Sequence, residues 1–85
     1  MTITVYGRPG CGGCEQTKKQ LDRKGLSFNE INIDEDDEAR KLVEDSVAQL
    51  NPPTILPMVV VKDGNRVHKW HGFRYDNILS LTKNS

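Results

Sequence analysis

The sequence predicts an α/β fold in which a four-stranded mixed sheet is flanked by helices, with elements in the order βαβαββα. Three observations carry this reading. Short β-branched or apolar runs take turns with stretches whose apolar residues recur at helical spacing. A strand–helix–strand start implies parallel pairing of the first two strands. An Asp63-Gly64 pair between the last two strands favours a hairpin, and so an antiparallel close.

Thr2 to Gly7 contains Ile-Thr-Val-Tyr, alternating and β-branched, and reads as the first strand. Arg8-Pro9-Gly10 breaks it. From Glu15 to Lys24 the chain is rich in good helix formers, with Gly25 as its C-cap. Glu15 near the start and Arg23 and Lys24 near the end match the helix dipole. Leu26 to Ile33 alternates, with Phe28, Ile31 and Ile33 as apolar members, and predicts a second strand. Asp34 or Asp36 caps a second helix, in which Ala39, Leu42, Val43, Val47 and Leu50 recur at helical spacing before Asn51-Pro52-Pro53-Thr54 ends it. Pro57 opens a third strand, whose continuous run Met58-Val59-Val60-Val61 implies burial on both faces. Val67 to Trp70 is the return strand, and Gly72 to Lys83 carries Phe73, Ile78, Leu79 and Leu81 in a last helix. This order resembles the thioredoxin-like arrangement in its shortest, glutaredoxin-sized form.

Eighty-five residues suffice for one domain, taken as 1–85, with a thin core: 35% of the residues are hydrophobic. Twelve basic and twelve acidic residues cancel, so no global field recruits nucleic acid or an anionic membrane. The longest strictly apolar run, Met58 to Val61, is far too short to span a bilayer. The start shows no basic segment followed by a long apolar stretch, so a signal peptide is not expected. A cytoplasmic monomer is the simple expectation.

Both cysteines sit in one Cys11-Gly12-Gly13-Cys14 unit. A disulfide closing so small a loop stabilises a fold less than the roughly 3 kcal/mol assigned to a 15-residue loop. The pair suits a bond that is made and broken, or half of a metal site. Its setting favours the first. The cysteines lie where a strand hands over to a helix N-terminus, and unpaired N–H groups and the positive dipole end both favour a thiolate there. Cys11 stands at the helix start and is expected to attack a substrate disulfide; Cys14, about one turn on, is expected to resolve the mixed disulfide. Gly12 and Gly13 leave backbone N–H groups uncovered, and Arg8 adds positive potential. A zinc site would need two further ligands. His68 and His71 are the only histidines, three apart on one strand and so on opposite faces; they read as surface residues near a strand end, and no metal is expected.

With these pieces in place the chain resembles the NrdH-redoxins, glutaredoxin-like electron donors to class Ib ribonucleotide reductase. The likeness runs through Tyr6, the segment Phe28 to Asp34, and Leu56-Pro57. It is sharpest at Trp70-His71-Gly72-Phe73-Arg74-Tyr75-Asp76, which is similar to that family's Trp-Ser-Gly-Phe-Arg-Pro-Asp signature and agrees at Trp70, Gly72, Phe73, Arg74 and Asp76. The resemblance implies a redox-active Cys11–Cys14 disulfide with no bound cofactor, reduction by thioredoxin reductase using NADPH upstream, and poor glutathione binding. It also implies a cis Leu56–Pro57 bond, with the Leu56 backbone pairing with an incoming chain. The Trp70–Asp76 segment would then shape a surface met by the reductase, held by Arg74 and Asp76 bridging one another or nearby backbone. Simple core packing of Trp70 and Phe73 under the last helix is the competing reading. This sequence departs from the family in its Gly-Gly between the cysteines, and in His71 and Tyr75. Two other functions stay open: a glutathione-dependent glutaredoxin, and a non-catalytic binding module with a structural or zinc-bound cysteine pair.

Overall fold

The computed structural model describes residues 1–48 and 56–81. Strands β1 (Thr2–Gly7), β2 (Asn29–Asn32), β3 (Met58–Asp63) and β4 (Arg66–His71) form one sheet in the order β2-β1-β3-β4. β1 runs parallel to β2 and antiparallel to β3, and β4 closes an antiparallel hairpin on β3. Helices α1 (Gly12–Arg23), α2 (Asp37–Val47) and α3 (Tyr75–Leu79) lie between and after these strands. The predicted mixed sheet is the observed one.

Strand alternation divides the core in two. Ile3, Val5, Val59, Val61 and Trp70 turn to one face, where Leu21 of α1 and Ile78 of α3 cover them. Met58 and Ile33 turn to the other, against Ala39 and Val43 of α2, with Tyr6, Ile31, Leu56 and Val60 around them. Both faces of the sheet are therefore helix-covered, which is why β3 tolerates an unbroken apolar run. Met58, Val59 and Val61 are fully buried. Each side chain so removed from water contributes about 1.5–3 kcal/mol. α2 starts where Asp36 Oδ1 accepts the Ala39 N–H at 3.0 Å, so Asp36 is the cap and Asp34 is not.

Several boundaries differ from expectation. α1 begins at Gly12 with Cys11 as its N-cap, as expected of a cysteine standing at the helix start, although the run of good helix formers begins only at Glu15. β2 is shorter than Leu26–Ile33: the Leu26 N–H still bonds back to Leu21 at the end of α1, so the ladder forms only from Asn29. The hairpin turns on Gly64-Asn65 rather than on Asp63-Gly64, since Asp63 and Arg66 already face each other across the strands. α3 starts only at Tyr75, the preceding Arg74 being extended. Leu50, Asn51–Thr54 and the stretch from Thr82 onward lie outside the described residues.

Candidate active site at the start of the first helix

The approach to α1 is dictated locally. Pro9 pre-sets its own φ, Gly10 sits at φ 81°, and the Cys11 N–H reaches back to the Arg8 carbonyl at 3.4 Å. Proline then a positive-φ glycine, inside a four-residue reversal, is the pattern of a type II turn. It ends β1 and delivers Cys11 to the N-cap position, where the backbone is extended and the side chain is free to turn toward the helix. There Cys11 Sγ accepts the Cys14 N–H at 3.1 Å. A sulfur in this position takes the place of the usual capping oxygen, so the first-turn N–H groups and the dipole favour its anionic form.

Cys11 and Cys14 are joined as a disulfide with Cα atoms 5.2 Å apart. Their environments differ. Cys11 is half-buried, whereas Cys14 is 2% exposed. Cys11 is the more accessible of the two to a visiting chain, and Cys14 lies enclosed behind it. Thr17, fully buried, donates its hydroxyl to the Gly13 carbonyl at 2.8 Å and so ties the intervening turn to the next.

Leu56 and Pro57, joined by a cis bond, lie against Gly13: a Cβ there would stand 3.1 Å from Pro57 Cδ and 3.8 Å from both the Leu56 carbonyl oxygen and Phe73 Cβ. Gly72 locks this arrangement, its N–H donating to the Pro57 carbonyl at 2.8 Å. Phe73 is 41% exposed and tilts toward Tyr75 at a ring separation of 6.3 Å. Leu56, Pro57, Gly72 and Phe73 thus gather beside the cysteines. Other residues singled out in the sequence are placed elsewhere. Tyr6 packs at the α2 face, and Trp70 is in the opposite core with Ile78. Arg74 and Asp76 are both exposed, and among the described residues no ion pair joins them. The Arg8 guanidinium bonds Asp34 at 3.2 Å, which offsets the positive potential expected of it.

His71 is a correction. Rather than lying on the surface, it is 8% exposed, and its Nε2 shares a 2.9 Å hydrogen bond with Ser46 Oγ. β4 is an exposed edge strand until its last two residues, of which Trp70 turns to the core under α1 and α3 and His71 to α2; His71 therefore braces α2 rather than facing a partner. His68 is exposed, as expected. Among the described residues no group of three or more His, Cys, Asp and Glu side chains is placed to hold a metal ion, and no helix is long and apolar enough to cross a membrane.

Sequence reasoning passed over Gly7, Thr17 and Ser46. Gly7 carried a signal, since a glycine within a strand often marks a close approach: a Cβ at Gly7 would stand 2.6 Å from Cys14 Sγ. Ser46 carried none.

Comparison with known proteins places this geometry in a lineage. The family profile described as Glutaredoxin matches residues 3–66. The glutaredoxin-like protein NrdH of Salmonella typhimurium is 33% identical over 81 residues, covering 95% of this chain and 89% of the relative. Among solved structures, the NrdH-redoxin from Escherichia coli, described as having a thioredoxin-like activity profile, superposes with a TM-score of 0.79 at 33% identity, covering 95% of each chain. A glutaredoxin from Archaeoglobus fulgidus matches with a TM-score of 0.66 at 26% identity, over 93% of this chain and 83% of that one. The chain therefore belongs to the glutaredoxin family as an NrdH-type, thioredoxin-fold thiol–disulfide oxidoreductase whose redox group is the Cys11–Cys14 pair.

Proposed function

We propose that this protein is a dithiol electron donor to ribonucleotide reductase, working as a cytoplasmic monomer and recharged by a thioredoxin reductase that draws on NADPH. One observation supports this most: a half-buried Cys11 capping α1, with Cys14 buried behind it. The Cys11 thiolate attacks a partner disulfide, forming a mixed disulfide and expelling one partner thiolate, which takes up a proton. Cys14 then loses its proton and attacks Cys11 Sγ, and the second partner thiolate leaves. Two electrons pass to the partner and the Cys11–Cys14 disulfide remains. NADPH returns two electrons through the reductase. Leu56, Pro57, Gly72 and Phe73 form the edge on which the partner's chain lies, Arg8, Arg74 and Asp76 offer it exposed charge, and Tyr6 and Trp70 hold the sheet behind the site by packing in its two cores. The thioredoxin-like activity profile attributed to the Escherichia coli relative is in keeping with this choice of reductant.

The test is disulfide reduction driven by NADPH with thioredoxin reductase, set against NADPH with glutathione and glutathione reductase. The proposal expects turnover in the first system, loss of it in Cys11→Ser, and support of ribonucleotide reductase by the first system. Turnover only in the glutathione system overturns it.

A further inference from the structure

Cys14 has a second approach, on the side away from the proposed partner edge. In the sheet, β2 and β3 flank β1 on opposite sides. Leu56 and Pro57 lead into β3. Toward β2, a cavity of about 230 Å³ runs between β1, α1 and β2, lined by Gly7, Cys14, Glu15, Lys18 and Glu30 among others. That volume holds several waters. Gly7 keeps it open beside the sulfur, since a side chain there would fall against Cys14 Sγ.

The charges at this cavity are organised around one cation. Lys18 follows Cys14 by four residues and so shares its helix face. Its ammonium reaches Glu30 across the cavity at 2.6 Å and Glu15 on its own helix at 2.9 Å. These two hydrogen bonds, Glu30's the larger, hold the lysine pKa above its usual value, so it stays charged through the working range. Arg8, the other cation lining the cavity, is engaged by Asp34. At the partner edge Leu56, Pro57 and Phe73 are themselves uncharged, and the titratable groups that accompany them are the exposed Arg74, Tyr75 and Asp76 that follow Phe73.

We propose that this cavity is the proton port of the resolving thiol, and that Lys18, fixed by Glu15 and Glu30, is a positioning residue that favours the Cys14 thiolate. The inference rests on the functional reading above, in which Cys14 is the second nucleophile. A partner chain bound at Cys11 covers the front of the disulfide, yet Cys14 must then shed a proton. The proton passes to water in the cavity and on to solvent, and the Cys14 sulfur forms its bond to Cys11 Sγ as the partner thiolate departs. Without Lys18 two carboxylates face the cavity uncompensated, and the thiolate becomes harder to form.

Reaction of the reduced protein with 5,5′-dithiobis(2-nitrobenzoate), followed by stopped flow across a pH series, separates the two steps. The first thionitrobenzoate released reports attack by Cys11; the second reports resolution by Cys14. Lys18→Met is expected to move the second phase's pH profile to higher pH by about half to one unit, slowing it roughly three- to tenfold below its inflection, while leaving the first phase in place. Lys18→Arg restores the parent profile, and Glu30→Gln, which removes an anion from the cavity and leaves Lys18 charged, moves the second phase the other way, to lower pH. A second phase in Lys18→Met that superimposes on the parent, or one slowed equally in Lys18→Arg, overturns the proton port. A first phase that survives in Cys11→Ser instead overturns the underlying assignment, so the two failures are distinct.

Discussion

Gly72 joins the signature segment to the active-site edge, and adding one carbon to it has a calculable cost. Its φ is 84°, in the left-handed region, where a Cβ is strained by about 1–2 kcal/mol. Escape by moving to negative φ would swing its N–H away from the Pro57 carbonyl, at present 2.8 Å distant, and lose a bond worth about 0.5–1.5 kcal/mol. The cheaper of the two routes sets the loss, so Gly72→Ala is less stable by about 0.5–2 kcal/mol, which lowers Tm by about 2–15 °C in a domain of this size. Gly12 provides the contrast. It lies within α1 and a Cβ there meets nothing within 4 Å. Gly12→Ala gains up to about 1 kcal/mol of helix propensity and is expected to hold or raise Tm. Thermal unfolding of reduced protein followed by circular dichroism measures both. Equal losses in the two variants, or a Gly72→Ala Tm within about 2 °C of the parent, would refute the reasoning.

Other outcomes follow from single contacts. Ser46→Ala removes one hydrogen bond from buried His71 and is expected to cost about 1 kcal/mol in urea unfolding while leaving Cys11 alkylation unchanged. Glu15→Gln removes an anion from the first turn of α1 and is expected to lower the Cys11 thiol pKa by about 0.2–0.5 unit, read from the pH dependence of thiolate absorbance; an upward shift would contradict it. The raised pKa of Lys18 means that its ion pairs contribute stability below 10.5, and that this contribution is lost as pH climbs through the higher folded value. The stability gap between parent and Lys18→Met, about 0.2–1 kcal/mol, is therefore expected to be level from pH 7 to 9 and to close at strongly alkaline pH.

Much of this was legible because local chemistry and tertiary structure agree. The apolar run of β3, the alternation of β1 and the Asp36 cap each dictate an element through near neighbours, and those elements formed. Cys-Gly-Gly-Cys after Pro9-Gly10 likewise announces its own turn and helix. What stayed hidden depends on partners distant in sequence. Nothing near His71 says that α2 will cover the end of an otherwise exposed β4 and present Ser46, 25 residues away, to its ring. Lys18 reads as one more helix-surface charge until the parallel pairing of β1 with β2 brings Glu30 across to it. The start of β2 was misplaced for the opposite reason: alternation from Leu26 is real, but the end of α1 holds the Leu26 N–H first.

The central claim is that the sulfur of Cys11, capping α1, is the acidic and accessible nucleophile of the pair. The most direct measurement is iodoacetamide alkylation of the fully reduced protein across pH, with each modified cysteine located by mass spectrometry. Cys11 is predicted to react first, with an inflection below the roughly 8.5 of a free thiol, and Cys14 to remain protected. Preferential labelling of Cys14, or a Cys11 inflection at or above that of a free thiol, would contradict the account.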